Sequence, residues 1–243
     1  MAGRFWLKKV SGRLQARSAA VRVDVLTGYA RWAESYAAEA HNPLMALEEA
    51  AMLSLLPDAT GQTCLDLACG SGRYLRLLRA RGAAPLYGCD YSAEMLARAG
   101  ATGLIRSPFL ALPFPNETFD LITCGLAVGH ERNLDHLLAE AARLLRPGGR
   151  LLYSDFHPFA ALLGWQRTFT ANGATFSLEH YPHLYSDHLR AGQTAGLTIE
   201  AVLEPVGGAH VPPQFAQLPV VLVIRAVKEG GGAGERGSGG ESG

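Results

Sequence analysis

Short apolar runs alternate with longer amphipathic stretches between residues 43 and 156, and this alternation predicts strands separated by helices. Strands and helices that alternate at this spacing are typical of a parallel sheet covered by helices on both faces. We therefore predict an α/β fold built on a mostly parallel sheet. The expected strands lie at 63–67, 85–90 and 102–106, within 113–124, and at 150–156.

Residues that cap helices mark several boundaries of the predicted helices. Asn42 and Pro43 supply an N-cap and a first-turn proline for a helix over about 43–56. Gly82 is placed to end a helix that starts near residue 72, and Ser92 to begin one that runs to about residue 99. The next helix, over 133–145, is amphipathic, and the RPGG sequence at 146–149 is expected to end it.

The pattern is weaker at both ends of the chain. Residues 21–56 are interpreted as helices that cover the domain, with Tyr29, Trp32 and Tyr36 packed onto it. A helix at 184–195 and strands near 198–203 and 218–225 complete a single domain that we place at 21–227. Residues 1–20 are predicted to be a basic flexible arm, and residues 228–243, mostly Gly, Ser and charge, a disordered tail.

Composition narrows the classes of function. Of 243 residues, 48% are hydrophobic and 18% charged, which supports a sizeable buried core. Lys and Arg together number 22, as do Asp and Glu, so net charge gives no reason to expect nucleic acid as a partner. No apolar run is long enough for a membrane span. The four cysteines form no C-x-x-C pair, so we expect free thiols, no metal site and a cytoplasmic location.

Acidic and small residues follow the predicted strands where they end. Asp66 ends the first strand, Asp90 ends the second 24 residues later, Gly125 follows the fourth, and Asp155 ends the fifth. In an open parallel sheet, ligands bind beyond the carboxyl ends of the strands. The sequence therefore predicts a ligand site at this edge.

The loop at 68–72 (Ala68, Cys69, Gly70, Ser71, Gly72) lacks bulk, so a ligand can approach its backbone at the start of the next helix. Asp90 is placed to accept hydrogen bonds from a ribose diol. A dinucleotide and S-adenosylmethionine both need a glycine loop followed by an acid. The dinucleotide fingerprint G-x-G-x-x-G is incomplete, because Leu75 stands at its last position. Asp66 would repel a pyrophosphate but attract a cationic methionine group, which favours S-adenosylmethionine.

At this point the chain resembles the class I S-adenosylmethionine-dependent methyltransferases, in the small-molecule group that includes quinone-biosynthesis and malonyl-acyl-carrier-protein methyltransferases. The resemblance covers about residues 20–225. The stretches that carry it are LDLACGSGRY at 65–74, YGCDYSAEML at 87–96, LPFPNETFDLITCGLAVGH at 112–130 and ARLLRPGGRLLYSDFHP at 142–158. The run YARWAESYAAEAHNPLMALEE at 29–49 looks like the lid of one bacterial branch.

The resemblance implies a Rossmann-like three-layer sandwich with a seven-stranded sheet of order 3-2-1-4-5-7-6, the last strand antiparallel. It also implies that S-adenosylmethionine contacts Asp66, the 68–72 backbone and Asp90, with Tyr91 and Met95 near the adenine. Pro108 departs from the family, which commonly has an adenine-binding Asp there. Adenine binding is then expected to rest on backbone groups and on Phe109 and Leu110.

Several side chains are candidates for the methyl acceptor. His130 and His157 follow the fourth and fifth strands, where either could act as a base, bind substrate or simply cap a loop. His41, Tyr29, Arg73 and His183 are further candidates for substrate contact. In the family, an insert equivalent to 157–183 covers the acceptor pocket.

The favoured function is therefore methyl transfer to a small metabolite or a carrier-bound acid. A cofactor-binding regulator without catalysis is the alternative that Pro108 favours. An NAD(P)-dependent oxidoreductase is disfavoured by Asp66. We expect neither nucleic acid nor a membrane-spanning segment to be involved, and the sequence gives no indication of the oligomeric state.

Overall fold

The computed structural model describes residues 20–230, so the predicted arm at 1–20 and the predicted tail lie almost wholly outside the described residues. A seven-stranded sheet forms the centre of the fold. Its seven strands are β2 (Cys64–Leu67), β3 (Leu86–Asp90), β4 (Leu104–Arg106), β5 (Phe119–Cys124), β6 (Leu145–Phe156), β9 (Leu197–Leu203) and β10 (Val221–Lys228). Their spatial order is β4-β3-β2-β5-β6-β10-β9, which is 3-2-1-4-5-7-6 when the strands of this sheet alone are numbered. Strand β10 is antiparallel to both of its neighbours. The α/β class and the strand order expected from the resemblance are thus confirmed.

Most predicted helices are present, and their caps are those that the sequence indicated. The Asn42 side chain accepts a hydrogen bond from the backbone N–H of Met45, and Ser92 caps its helix in the same way. The helix after Ser92 is shorter than predicted. The helices are α1 (Val25–Trp32), α2 (Pro43–Leu55), α3 (Arg73–Ala80), α4 (Ala93–Leu96), α5 (Leu134–Leu144), α6 (Pro158–Leu162) and α7 (Tyr185–Thr194).

Both faces of the sheet are buried, and the strand pattern explains how. In β10, Leu222 and Ile224 pack into the cluster that contains α5, whereas Val221 and Val223 pack with α2. Successive residues of a strand point to opposite faces, so a continuous apolar run fills both layers. Each fully buried leucine or valine contributes about 1.5–3 kcal/mol.

A second sheet was not predicted. It contains three strands, in the order β1 (Val21–Val23), β8 (Ala174–Leu178) and β7 (Thr168–Ala171). The expectation that 21–40 is helical is therefore wrong at 21–23, where the backbone pairs in parallel with 176–178. Between residues 20 and 42, only α1 and a short 3₁₀ turn at Ala33–Ser35 are helical. Three-residue strands carry too little periodicity to be detected.

Two strand boundaries also differ from expectation. The segment 146–149 does not separate a helix from a strand, because β6 already begins at Leu145 and these four residues form an irregularity in its pairing with β5. At the other end, β10 continues to Lys228, whose ammonium donates to the Leu145 carbonyl. The tail therefore cannot begin at residue 228. No helix within 20–230 has the length and apolar character needed to cross a membrane.

A buried polar cluster ties α2 to the sheet edge where the predicted ligand site lies. The Glu48 carboxylate is fully buried and lies 2.7 Å from the Arg73 guanidinium. Its other oxygen accepts hydrogen bonds from the hydroxyls of Tyr74 (2.8 Å) and Ser154 (2.5 Å). One carboxylate on α2 thus holds two residues of α3 and one of β6.

We expect Glu48→Ala to lower the free energy of unfolding by about 3–5 kcal/mol, because it leaves the buried Arg73 charge without its closest partner. Glu49→Ala is the matched control. Its carboxylate is 26% exposed and 3.4 Å from Arg73, so the loss should stay below about 1 kcal/mol. Urea denaturation followed by circular dichroism measures both, and equal losses would contradict the role of Glu48.

Candidate functional site

The loops after β2, β3, β4 and β5 surround a cavity of about 300 Å³ at the carboxyl edge of the sheet. Helix α1 and Arg167, from the segment between α6 and β7, close its other side. The lining includes most of the residues predicted to bind cofactor: Ala68, Cys69, Gly70, Asp90, Tyr91, Met95, Phe109, Leu110 and Gly125.

The turn after β2 brings backbone close to the cavity. Ala68 and Gly70 both have positive φ, 56° and 53°. The backbone N–H of Gly70 donates to a carboxylate oxygen of Asp90 at 2.8 Å, so the turn is bonded to the end of β3. Any side chain at position 70 would be strained by the left-handed backbone and would crowd Met95. The bare backbone predicted from the sequence is therefore present.

Gly72 does not line the cavity, contrary to expectation. It has φ 84° and starts α3, and a Cβ there would lie 2.8 Å from the Ala99 carbonyl oxygen. A glycine is needed at position 72 because the turn packs closely against the segment after α4. The sequence pattern could not distinguish this packing role from ligand contact.

Asp90 is half-buried on the cavity wall. Its two oxygens accept the N–H groups of Gly70 and Ser92, each at 2.8 Å. Each carboxylate oxygen has a second lone pair, so both can still accept a hydrogen bond from a hydroxyl. Burial raises the pKa of Asp90 above its ordinary value, although these N–H groups oppose the rise.

Asp66 lies in β2, almost fully buried beside the turn and not on the cavity wall. One carboxylate oxygen accepts the Thr123 hydroxyl at 3.0 Å, whereas the other has no hydrogen-bond partner among the described residues. Burial raises its pKa to about 7, against the hydrogen bond from Thr123 and the charge of Arg73. A buried oxygen without a partner is costly and is suited to an incoming cation or donor.

The outer end of the cavity is lined by Tyr91 and Leu110, which are largely exposed, and by the buried Met95. Pro108 and Phe109 lie between them along the wall. This apolar end agrees with adenine packing in place of the missing acid at position 108.

The opposite end contains Tyr29, Tyr36, His130 and Arg167. The His130 Nε2 atom lies 3.1 Å from both the Tyr29 hydroxyl and an Arg167 nitrogen, and its Nδ1 is 3.1 Å from the Glu179 carbonyl oxygen. Burial and the Arg167 charge lower the pKa of His130 to about 3. His130 therefore lines the cavity as predicted, but its lone pair is engaged and it is a weak base.

Three other predicted histidines lie elsewhere. His157 caps α6, where Nδ1 accepts the Phe159 N–H and Nε2 lies 3.0 Å from Glu204. Both ring nitrogens are engaged by these groups and His157 does not line the cavity, so its position does not support the predicted catalytic role. His41 is exposed and packs edge-on against Trp32 and Tyr36.

His183 also stays outside the cavity. Its Nε2 contacts the Glu131 carbonyl oxygen at 2.8 Å. The substrate roles expected for His41 and His183 are therefore not supported by their positions. Tyr29 and Arg73 do line the cavity, but the Arg73 guanidinium is paired with Glu48 and Glu49 and is not free for an anion.

Arg167 and Tyr36 line the cavity but were not among the predicted site residues. Arg167 is the only Lys or Arg in the insert at 157–183, and it lies between Trp165 and Phe169. A single cation among aromatic residues could have indicated a binding residue in the sequence. The three-stranded sheet that brings it to the cavity was not visible in the sequence.

Residues 65–153, which contain β2 to β6 and the glycine turn, match the family model described as a methyltransferase domain. Residues 65–153 of this chain therefore form a methyltransferase domain. A demethylmenaquinone methyltransferase of Thermobifida fusca is 33% identical over 121 residues, 44% of this chain and 50% of that protein. A 2-phytyl-1,4-naphtoquinone methyltransferase of Nostoc punctiforme is 36% identical over 110 residues, 40% of this chain and 48% of that protein. An uncharacterized protein of Haemophilus influenzae is 32% identical over 151 residues, 56% of this chain and 59% of that protein.

The chain thus spans about half the length of the curated relatives that it matches. Among solved structures, an S-adenosylmethionine-dependent methyltransferase from Mesorhizobium loti has a TM-score of 0.63 at 26% identity, with 76% of this chain and 100% of that chain covered. One from Listeria monocytogenes has the same TM-score at 20% identity, with 76% and 99% covered, and shares the fold.

The methyltransferase site fits its cofactor on three observations. The turn at 68–71 presents bare backbone, Asp90 has free lone pairs for two hydroxyls, and one oxygen of Asp66 is buried without a partner. We expect Asp66 and the turn to hold the methionine end of S-adenosylmethionine and Asp90 its ribose. When bound, the cofactor supplies a methyl group activated by a positively charged sulfur.

The raised pKa of Asp66 predicts a pH dependence of stability. Between its ordinary pKa of 3.8 and its folded pKa of about 7, the folded methyltransferase domain keeps a proton that the unfolded chain has released. The free energy of unfolding should therefore fall as the pH rises across this interval, by up to about 4 kcal/mol. Asp66→Asn should remove this fall, because asparagine stays neutral.

Urea denaturation at pH 5 and pH 8 measures the difference. Asp135→Asn, at a surface ion pair on α5, is the control and should keep the pH dependence of the unchanged protein. The same fall in Asp66→Asn and in the unchanged protein would show that Asp66 is not its origin.

Proposed function

We propose that this chain transfers the methyl group of S-adenosylmethionine to a small-molecule acceptor that enters the cavity between α1 and Arg167. The observation that carries the proposal is the arrangement of Asp66 and Asp90 on either side of the bare turn at 68–71. Two carboxylates favour a ligand with a cationic end and a diol, and they disfavour a diphosphate. A methyl acceptor then has access from the side of Tyr29, Tyr36 and Arg167.

The protein's main task in such a reaction is to align two reactants. Alignment can contribute roughly 7–11 kcal/mol to lowering the barrier. The apolar wall of Met95 and Phe109 excludes water at one end, and the Tyr29 and Tyr36 rings restrict the other. His130 holds Tyr29 and Arg167 through its Nε2 and does not remove a proton from the acceptor.

The names of the relatives support an aromatic acceptor. Two relatives over the matched region are named for methylation of demethylmenaquinone and of a phytyl-naphthoquinone. The aromatic side chains at the acceptor end of this cavity suit a ring system of that kind. A carrier-bound acid remains the second acceptor class in this proposal, and a cytoplasmic location and independence of nucleic acid remain predictions.

A regulator that binds the cofactor without transferring methyl groups is the second candidate function. It is favoured by Pro108 in place of an adenine-binding acid and by the engaged lone pair of His130. Methyl transfer is preferred because the end of the cavity away from the glycine turn is lined by polar groups as well as aromatics, which suits a second ligand.

We expect Asp90→Ala to weaken binding of S-adenosylhomocysteine at least about tenfold, since a hydrogen bond to a charged group contributes about 1.5–3 kcal/mol. Isothermal titration calorimetry measures this, with Asp135→Asn as the control. Unchanged affinity would remove the ribose assignment.

Transfer itself is tested by incubating the protein with a radiolabelled methyl donor and a cell metabolite extract. Labelled small molecules that depend on Asp90 are the expected result. Normal cofactor binding without any labelled product would favour the regulator.

A further inference from the structure

We propose that the methyl acceptor carries an anionic oxygen, a carboxylate or phenolate, and that this oxygen binds the Arg167 guanidinium. The inference rests on the proposed methyl transfer and names the class of its acceptor. The observation behind it is that the positive charge of Arg167 is buried without a negatively charged partner.

Arg167 is only 8% exposed, yet it forms no ion pair with any described carboxylate. One terminal nitrogen donates to the Leu126 carbonyl oxygen and contacts His130 Nε2. The Tyr29 and Phe156 rings lie 5.7 and 5.8 Å from its central carbon. A guanidinium has five N–H donors, so those of the other two nitrogens remain for a ligand.

The acids around Arg167 are committed to other groups. Asp155 is bonded to His180 at 3.2 Å, and its lowered pKa is in part an effect of that histidine, which opposes burial. Three further acids have partners other than Arg167. Glu179 pairs with Arg22, Glu131 accepts the Asn133 N–H, and Asp90 accepts the N–H groups of Gly70 and Ser92. A buried cation without an acid costs stability, and such costs are typical of binding sites.

The position of Arg167 indicates that its guanidinium binds an anionic group of the acceptor and not the carboxylate of the cofactor. Arg167 also lines a second cavity of about 240 Å³, between Trp32 and Trp165. This second cavity shares Leu126 and Arg167 with the first and includes none of the residues at 68–72 or 90–95. Arg167 therefore lies where these two cavities meet, with its guanidinium beside His130 and Tyr29.

The lack of a free base at this end agrees with an acceptor that is already anionic. The lone pair of His130 points at Arg167 and Tyr29, and its pKa of about 3 makes it a poor proton acceptor. Burial raises the pKa of Tyr29 well above its ordinary value, so its hydroxyl stays protonated as a donor. An anionic oxygen can attack the methyl group directly: the new O–C bond forms as the S–C bond of the cofactor breaks, S-adenosylhomocysteine leaves as a neutral thioether, and no proton has to be removed.

The test compares 2-naphthoate with the neutral 2-naphthamide, which match in size and shape and differ in charge. Calorimetric titration of the full chain saturated with S-adenosylhomocysteine should show the acid binding at least about tenfold more tightly than the amide. Arg167→Gln should abolish this preference. Arg167→Lys should retain part of it, because the charge remains while the planar pair of donors is lost.

The affinity for S-adenosylhomocysteine shows whether Arg167 binds the acceptor or the carboxylate of the cofactor. It should stay within about twofold in both Arg167 variants, as it should in the control Arg190→Gln, which removes an exposed arginine on α7. A large loss in Arg167→Gln alone would mean that Arg167 binds the cofactor's carboxylate, and would overturn the proposal. Saturable naphthoate binding is also required, so its absence, or equal affinity for acid and amide, overturns the proposal as well.

A second measurement covers the case in which Arg167→Gln unfolds. Metabolite extract is first separated on an anion exchanger, and the retained and unretained fractions are then each incubated with the radiolabelled donor and either unchanged protein or Arg167→Lys. Label formed from the retained, anionic fraction that falls at least about tenfold in the lysine variant supports the proposal. Label formed only from the unretained fraction contradicts it while leaving methyl transfer intact, whereas absence of cofactor binding by the unchanged protein would refute the proposed function itself.

Discussion

The buried ion pair between Glu48 and Arg73 is the interaction on which the arrangement of the site depends. It joins α2 to the first residue of α3, directly after the glycine turn, and its hydrogen bonds extend to Tyr74 and Ser154. Gly125 is part of the same unit, because a side chain there would collide with the Tyr74 ring. The turn, the start of α3 and the end of β5 therefore hold one another in place before any ligand binds.

The cofactor half of the cavity was readable from the sequence because its signals are local. A strand, a turn with positive φ at Ala68 and Gly70, and an acid at the end of the next strand lie within 30 residues. Parallel pairing then brings Asp66 and Asp90 to the same edge of the sheet. Gly72 shows the limit of such reasoning, since a packing glycine and a ligand-binding glycine look alike in sequence.

The acceptor half was only partly readable, because long-range contacts build it. Tyr29 and Arg167 come together when β1 pairs with β8, across about 150 residues of chain. His130 and His157 were equally good candidates in the sequence, because each follows the end of a predicted strand. Only the structure separates them, because His130 points into the cavity and His157 is used to cap α6. The apolar periodicity of the central strands predicted a mostly parallel sheet, whereas the strand order was expected only from the family resemblance carried by the motif stretches within 65–158.

The small sheet of β1, β8 and β7 has a consequence for how this protein diverges from its relatives. It joins α1 to the segment that follows Arg167, and all of these parts lie outside the region at 65–153 that matches the methyltransferase family. Substitutions in these parts can change the side of the cavity proposed to receive the acceptor without altering the sequence of the matched region. Similarity over 65–153 is therefore evidence for the methyl donor, whereas the identity of the acceptor depends on residues that this similarity does not include.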